Sequence, residues 1–221
     1  MHAANRRAFL RRGAAGLLAA GLLVVTAGCG RKKTVRVRPV PAGSTVLALG
    51  DSLTFGTGAS PAAAYPAVLA QLTGWNVINA GVPGNTSAQA LERLPGLLDE
   101  HRPQLVIISI GGNDFLRQLP EAETRANITA ICKLALNSDA QVLLVAVPKV
   151  SIVAALGQLS DHPLYAELAS TLKVPLQCDG WGRILADSAL RSDAVHANAQ
   201  GYAQFAQSLY QTAVATGLLK G

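Results

Sequence analysis

Aromatic residues are scarce: two Trp, four Tyr and four Phe make up 5% of the 221 residues. Such a chain has few stacking platforms to offer a sugar ring, which counts against a carbohydrate-lined rim. Charged residues are few as well, at 14%, and no acid precedes Cys29. The formal charge of +6 belongs to the amino-terminal stretch; from Thr45 onward ten basic residues face thirteen acidic ones. The part able to fold therefore has no basic excess, and charge gives no support to a nucleic-acid partner. Cysteine is limited to Cys29, Cys132 and Cys178, without a Cys-x-x-Cys pair or His-rich spacing, so no metal centre is expected. The apolar stretch from Gly13 to Ala27 falls short of a membrane span of ~20 residues. Repeats and low-complexity tracts are absent too. What remains is a chain that is 50% hydrophobic and long enough for one globular domain with a sizeable core.

The first 28 residues read as an export signal. Arg6, Arg7, Arg11 and Arg12 form a basic start to the apolar run. Thr26-Ala27-Gly28-Cys29 resembles the lipobox of bacterial lipoproteins, in which the Cys is lipidated and becomes the new first residue. Asn5-Arg6-Arg7-Ala8-Phe9-Leu10-Arg11 resembles a twin-arginine export motif, with Asn where Ser or Thr is usual; twin-arginine and general export both stay open. Residues 29–44 read as a basic tether carrying Arg31, Lys32, Lys33, Arg36 and Arg38, with Pro39-Val40-Pro41-Ala42-Gly43 at its end. Beside a lipid anchor these charges suit an anionic membrane surface, each adding roughly 1 kcal/mol. The expected location is the cell envelope, at the periplasmic face of the outer membrane in a two-membrane bacterium. Export permits a Cys132–Cys178 disulfide but does not require one.

From residue 45 to 221, short apolar runs alternate with amphipathic stretches. Strands are predicted at Thr45–Leu49, Trp75–Ala80, Leu105–Ile110, Val142–Val147 and Val174–Leu176, and helices at 61–72, 88–99, 121–136, 164–172 and 198–216. Ser87 is the expected cap of the second of these helices, and the region up to Arg191 is weakly patterned. Alternation of this kind predicts an α/β fold of three layers, α/β/α, around a five-stranded parallel sheet with flavodoxin-like order 2-1-3-4-5.

In such a sheet ligands bind outside the carboxyl ends of the strands. Gly50-Asp51-Ser52-Leu53-Thr54 sits where the first strand must end, so Ser52 is placed as a nucleophile; the competing reading is that Asp51 or Ser52 only caps the next helix. The Gly84 turn and Asn113 follow the second and third strands, and each taken singly is an ordinary turn or cap residue. Asp193 and His196 lie three apart ahead of the last helix. That spacing lets Asp193 fix the His196 tautomer, so that Nε2 can take the Ser52 proton. The Ser52 and Gly84 N–H groups and the Asn113 amide suit an oxyanion hole. Asp114 reads as structural. No Gly-x-Ser-x-Gly elbow occurs, which disfavours an α/β-hydrolase.

Together, Gly50-Asp51-Ser52-Leu53-Thr54, Asn79-Ala80-Gly81-Val82-Pro83-Gly84-Asn85-Thr86-Ser87, Gly111-Gly112-Asn113-Asp114 and Asp193-Ala194-Val195-His196 resemble the four blocks of SGNH/GDSL hydrolases, close to the small bacterial thioesterase/arylesterase/lysophospholipase branch. The resemblance implies Ser52 as nucleophile, His196 as base, Asp193 as its orienter, and Ser52, Gly84 and Asn113 as the oxyanion hole, with no metal or cofactor. It departs at Ala197, where the family often has Pro. The substrate it implies is a small acyl ester, thioester or lysolipid-like molecule, handled by a monomer. Val147–Leu156, apolar and at the rim, is expected to line the acyl site or else to pack in the core. A carbohydrate O-deacetylase on the same fold, or a non-catalytic tethered binding lipoprotein, are the alternatives.

Overall fold

The structure, a computed structural model, describes residues 37–149 and 159–220. Cys29 and the export segment lie outside the described residues, as do 150–156 of the expected rim segment. The element order is β1 (Thr45–Gly50), α1 (Ser52–Phe55), α2 (Tyr65–Thr73), β2 (Asn76–Gly81), α3 (Ser87–His101), β3 (Leu105–Ser109), α4 (Gly112–Leu116), α5 (Glu121–Asn137), β4 (Gln141–Val145), α6 (Pro163–Leu172), β5 (Leu176–Gln177), α7 (Gly180–Ala186) and α8 (Ala199–Thr216). A short 3₁₀ turn, Pro61–Ala63, precedes α2, so the helix expected over 61–72 is split at Ala64, whose ψ of 146° is extended. The residue before a proline avoids the helical region, but here the break falls two residues ahead of Pro66.

The sheet has order β2-β1-β3-β4-β5 with every pairing parallel, as the alternation predicts. Its two faces follow from the two-residue period of a strand. Leu47, Leu49, Val106, Ile108, Val142 and Leu144 pack under α3, α5 and α6. Val46, Ala48, Leu105, Ile107, Leu143 and Val145 pack under α2, α7 and α8. All five β3 residues are buried, as a central strand covered on both faces requires.

The cap of α3 is Thr86 and not Ser87. Thr86 and Gln89 exchange side-chain and backbone bonds in a capping box. Ser87 is instead the first helical residue, and its N–H and hydroxyl both donate to Asp114, which also accepts from Thr124. The buried Asp114 carboxylate thus pins the amino terminus of α3 to α4 and α5, where a negative charge suits the helix dipole. α4 and α7 occupy stretches that carry no helical signal in the sequence, and β5 is shorter and two residues later than expected. Cys132 and Cys178 are not bridged. Cys132 lies on the buried face of α5, where burial pushes its thiol up to about 12.

The few aromatic side chains are concentrated. Trp181 stacks on Phe205 at 3.6 Å between centroids, and Tyr65 meets both edge-on. Their polar tips fasten the loops at the strand ends. Trp181 donates to Ser109 at 3.0 Å, the Tyr202 hydroxyl to Thr57 O at 2.7 Å, and the Tyr165 hydroxyl to Ile110 O at 2.7 Å.

Candidate active site

β1 ends at Gly50, and Asp51 caps α1 by accepting from the Leu53 N–H at 3.0 Å. Ser52 is the first residue of that helix. The cap and the candidate nucleophile, alternatives in the sequence, are thus neighbouring residues of one turn. Ser52 Oγ lies 2.9 Å from His196 Nε2, and His196 Nδ1 lies 2.7 Å from Asp193 Oδ2. The second Asp193 oxygen accepts from the N–H groups of Val195 and His196 at 2.8 and 2.9 Å. Slight desolvation pulls Asp193 upward, but the His196 ring and these backbone donors outweigh it and hold its carboxyl below the usual value. With Asp193 ionised, Nδ1 carries the proton and Nε2 is left to accept from Ser52.

The His196 turn is closed without the proline that the resemblance leads one to expect. Ser192 N–H donates to His196 O at 2.9 Å, and Arg191 and Ala197 form an antiparallel bridge. Gly58 lets this turn approach the loop after α1. Its φ is +93°, and a Cβ there would fall 2.1 Å from Ser192 Oγ and 2.6 Å from Ala197 O.

Gly84, at φ +78°, and Asn113, in α4, line the same cleft as Ser52 and His196. Asn113 Nδ2 donates to Asn85 O at 3.0 Å and is 3.5 Å from Asp51 Oδ2. Asp51 is buried, and burial, partly offset by the Leu53 N–H and by His196, raises its pKa to about 6. The cleft measures about 340 Å³ among the described residues, and its walls are mainly apolar, with Leu116, Val147, Pro148, Leu159, Leu185 and Val195 among them. Val147 and Pro148 belong to the expected rim segment. Leu116 and Leu185 carry no sequence signal, since α4 and α7 have no pattern that marks a site; Val195 lies within the Asp193–His196 block, and only the fold turns it toward the cleft.

A serine, imidazole and carboxylate in unbroken contact at the carboxyl edge of a parallel sheet are the arrangement that serine hydrolases of the α/β/α type use. Residues 48–204 match the GDSL-like Lipase/Acylhydrolase family, and the chain belongs to it. It is 36% identical over 142 residues to the thioesterase 1/protease 1/lysophospholipase L1 of Escherichia coli strain K12, covering 61% of this chain and 66% of that protein. It is 35% identical over 108 residues to an arylesterase of Vibrio mimicus, covering 47% of this chain and 54% of that one. The chain thus matches between half and two thirds of these relatives' lengths. The solved structure of TesA superposes with a TM-score of 0.70 at 25% identity, over 78% of this chain and 99% of that one.

Proposed function

We propose that this chain is a serine esterase that cleaves carboxylic ester or thioester bonds bearing apolar acyl groups, by way of an acyl-enzyme on Ser52. The observation that carries the reading is the contact series Ser52–His196–Asp193 opening into an apolar cleft. His196 Nε2 takes the Ser52 proton as Oγ attacks the acyl carbon, and the resulting imidazolium is held by Asp193. The tetrahedral oxyanion is met by the N–H groups of Ser52 and Gly84 and by Asn113 Nδ2. One Nδ2 hydrogen is committed to Asn85 O; the other has only the distant Asp51 oxygen and turns to the oxyanion. His196 then returns the proton to the leaving alcohol or thiol, and water repeats the sequence on the acyl-enzyme. The apolar walls favour an acyl chain over a sugar, and a lysolipid-like molecule fits the same description. The lipobox-like Thr26–Cys29 and the basic tether support export and lipid anchoring at the cell envelope.

Ser52→Ala is expected to abolish turnover of p-nitrophenyl esters at every chain length while leaving the melting temperature near that of wild type. A fluorophosphonate should label Ser52 in wild type and nothing in the variant. Wild-type rates in Ser52→Ala would refute the reading.

A further inference from the structure

Arg93 lies in α3, outside all four blocks that carry the family resemblance, and looks in the sequence like a surface charge on an amphipathic helix. It is half-buried instead, and burial lowers its pKa from the usual value, a sign of a cation held at a cost. Among the described residues no carboxylate lies within ion-pair distance of it. Both of its hydrogen bonds go to neutral acceptors: Nε donates to Asn85 Oδ1 and Nη2 to Gly50 O, each at 2.9 Å.

Those two acceptors matter because of what adjoins them. Gly50 is the last residue of β1, two before Ser52. Asn85 follows Gly84 in the turn after β2, and its carbonyl is the acceptor that holds the Asn113 amide. The same turn is tied back by Val82 N–H to Gly50 O and by Asn85 N–H to Val82 O. The donors assigned above to the oxyanion come from three separate elements; one planar group bonds the end of β1 and the Gly84–Asn85 turn directly and reaches Asn113 through Asn85 O. Nε and Nη2 share an edge of the guanidinium, so the spacing between Gly50 O and the Asn85 side chain is set by a rigid fork.

We propose that Arg93 is a positioning residue for the oxyanion hole: it holds the end of β1 and the Gly84–Asn85 turn at the separation at which the Ser52, Gly84 and Asn113 donors converge. The proposal rests on the reading of those donors as the hole. Arg93 touches no reacting atom. Its effect is geometric, and a misplacement of ~1 Å in a catalytic group costs on the order of 10²-fold.

The test is a kinetic comparison of Arg93→Met, which keeps the apolar stem and removes the fork, with Arg93→Lys, which keeps the charge and removes the bidentate geometry. For Arg93→Met kcat is expected to fall ~30–100-fold with KM little changed, since the hole acts on the transition state. Arg93→Lys should recover at most a small part, because an ammonium cannot span both acceptors. Phenylboronate, which forms a tetrahedral anion on Ser52, should lose affinity in step with kcat/KM across the variants. In Arg93→Met/Asn113→Ala the two losses should be less than additive, because both act through one donor set. Unchanged kcat in Arg93→Met, full activity in Arg93→Lys, or a rate loss with undiminished boronate affinity would overturn the proposal. If Arg93→Met melts below the assay temperature, Arg93→Lys carries the same decision. Asn113→Ala separates the two layers of the argument. If it is slow while Arg93→Met is normal, only the positioning role fails; if Asn113→Ala is itself normal, the hole assignment fails.

Discussion

At the scale of single residues, the site holds two carboxylates of opposite character. Asp193 is half-exposed, accepts three hydrogen bonds and is kept ionised by them. Asp51 is buried, with one good donor, the Leu53 N–H, and burial raises it to about 6. Linkage converts the second case into a stability statement. Below the ordinary aspartate value of 3.8 both folded and unfolded chains are protonated at this position and burial of charge costs nothing. Between there and about 6 the folded protein keeps a proton that the unfolded chain has lost, so stability falls as pH rises. Above that the full cost remains, on the order of 3 kcal/mol for a shift of about two units. Asp51→Asn lacks this titration but retains an oxygen for the Leu53 N–H. Denaturant unfolding from about pH 4 to pH 8 should therefore find the variant gaining stability relative to wild type as pH rises, with the change centred between the two pKa values. A pH-independent difference would mean that Asp51 titrates as an ordinary carboxylate. The sequence marks Asp51 as a cap candidate, which it is, but burial of its second oxygen depends on Gly112 and Asn113, sixty residues away.

At the scale of elements, the catalytic geometry is a matter of which loops can touch. Gly58 shows this most directly. An Ala there would overlap Ser192 Oγ and Ala197 O, both in the turn that carries His196, and would have to adopt a φ of +93°. The backbone conformation alone costs roughly 1–2 kcal/mol. Because Ala197 O is main chain, relief requires the His196 turn to retreat from α1, which lengthens the 2.9 Å contact between Ser52 and His196. Gly58→Ala is expected to lower the melting temperature and also to lower kcat by at least ~10-fold, with slower fluorophosphonate labelling of Ser52. Normal labelling in a destabilised variant would show that the turn adapts without moving the imidazole. Legibility divides along the same line. β1, β3 and β4 are readable because a strand buried on both faces is an uninterrupted apolar run. α4 is not, because Gly111-Gly112-Asn113-Asp114 has the composition of a turn, and its helix is stabilised by Asp114 binding Ser87 and Thr124 from elsewhere. α7 is hidden for a related reason: Gly180-Trp181-Gly182 has no helical period, and Gly182 is there because a Cβ would meet Leu159 O at 2.6 Å. Ser52, Gly84, Asn113, Asp193 and His196 are legible as strand-end and turn clusters. Arg93 is not, since a helical arginine looks the same in sequence whether it faces solvent or two backbone loops.

At the scale of the folded unit as a whole, the protein has two poles. Residues 37–44 attach where the strands begin. Arg38 N–H donates to the Gln141 side chain at 2.6 Å, Val40 N–H to Leu218 O at 2.7 Å, the Trp75 indole to Val40 O at 2.9 Å, and Gly43 N–H to Gly74 O at 2.7 Å. Ser52 lies at the other pole, beyond the six residues of β1, a distance of ~20 Å. The family match starts at residue 48 and so leaves this attachment out. The arrangement gives the proposed lipid anchor a sharp consequence, because a tether fixed at one pole bears on none of the groups proposed to react at the other. Cys29→Ser is expected to abolish incorporation of a fatty-acid probe and to move the protein from the membrane to the soluble fraction. Its kcat and KM on a water-soluble short-chain ester should stay at wild-type values. Hydrolysis of a lysolipid held in anionic vesicles should fall, since release removes the high local concentration that tethering supplies. Equal labelling of wild type and Cys29→Ser would remove the anchor from the account. A released protein that is slow on the soluble ester would show instead that residues 37–44 transmit strain through β1 to Ser52, and the separation of the two poles would have to be abandoned.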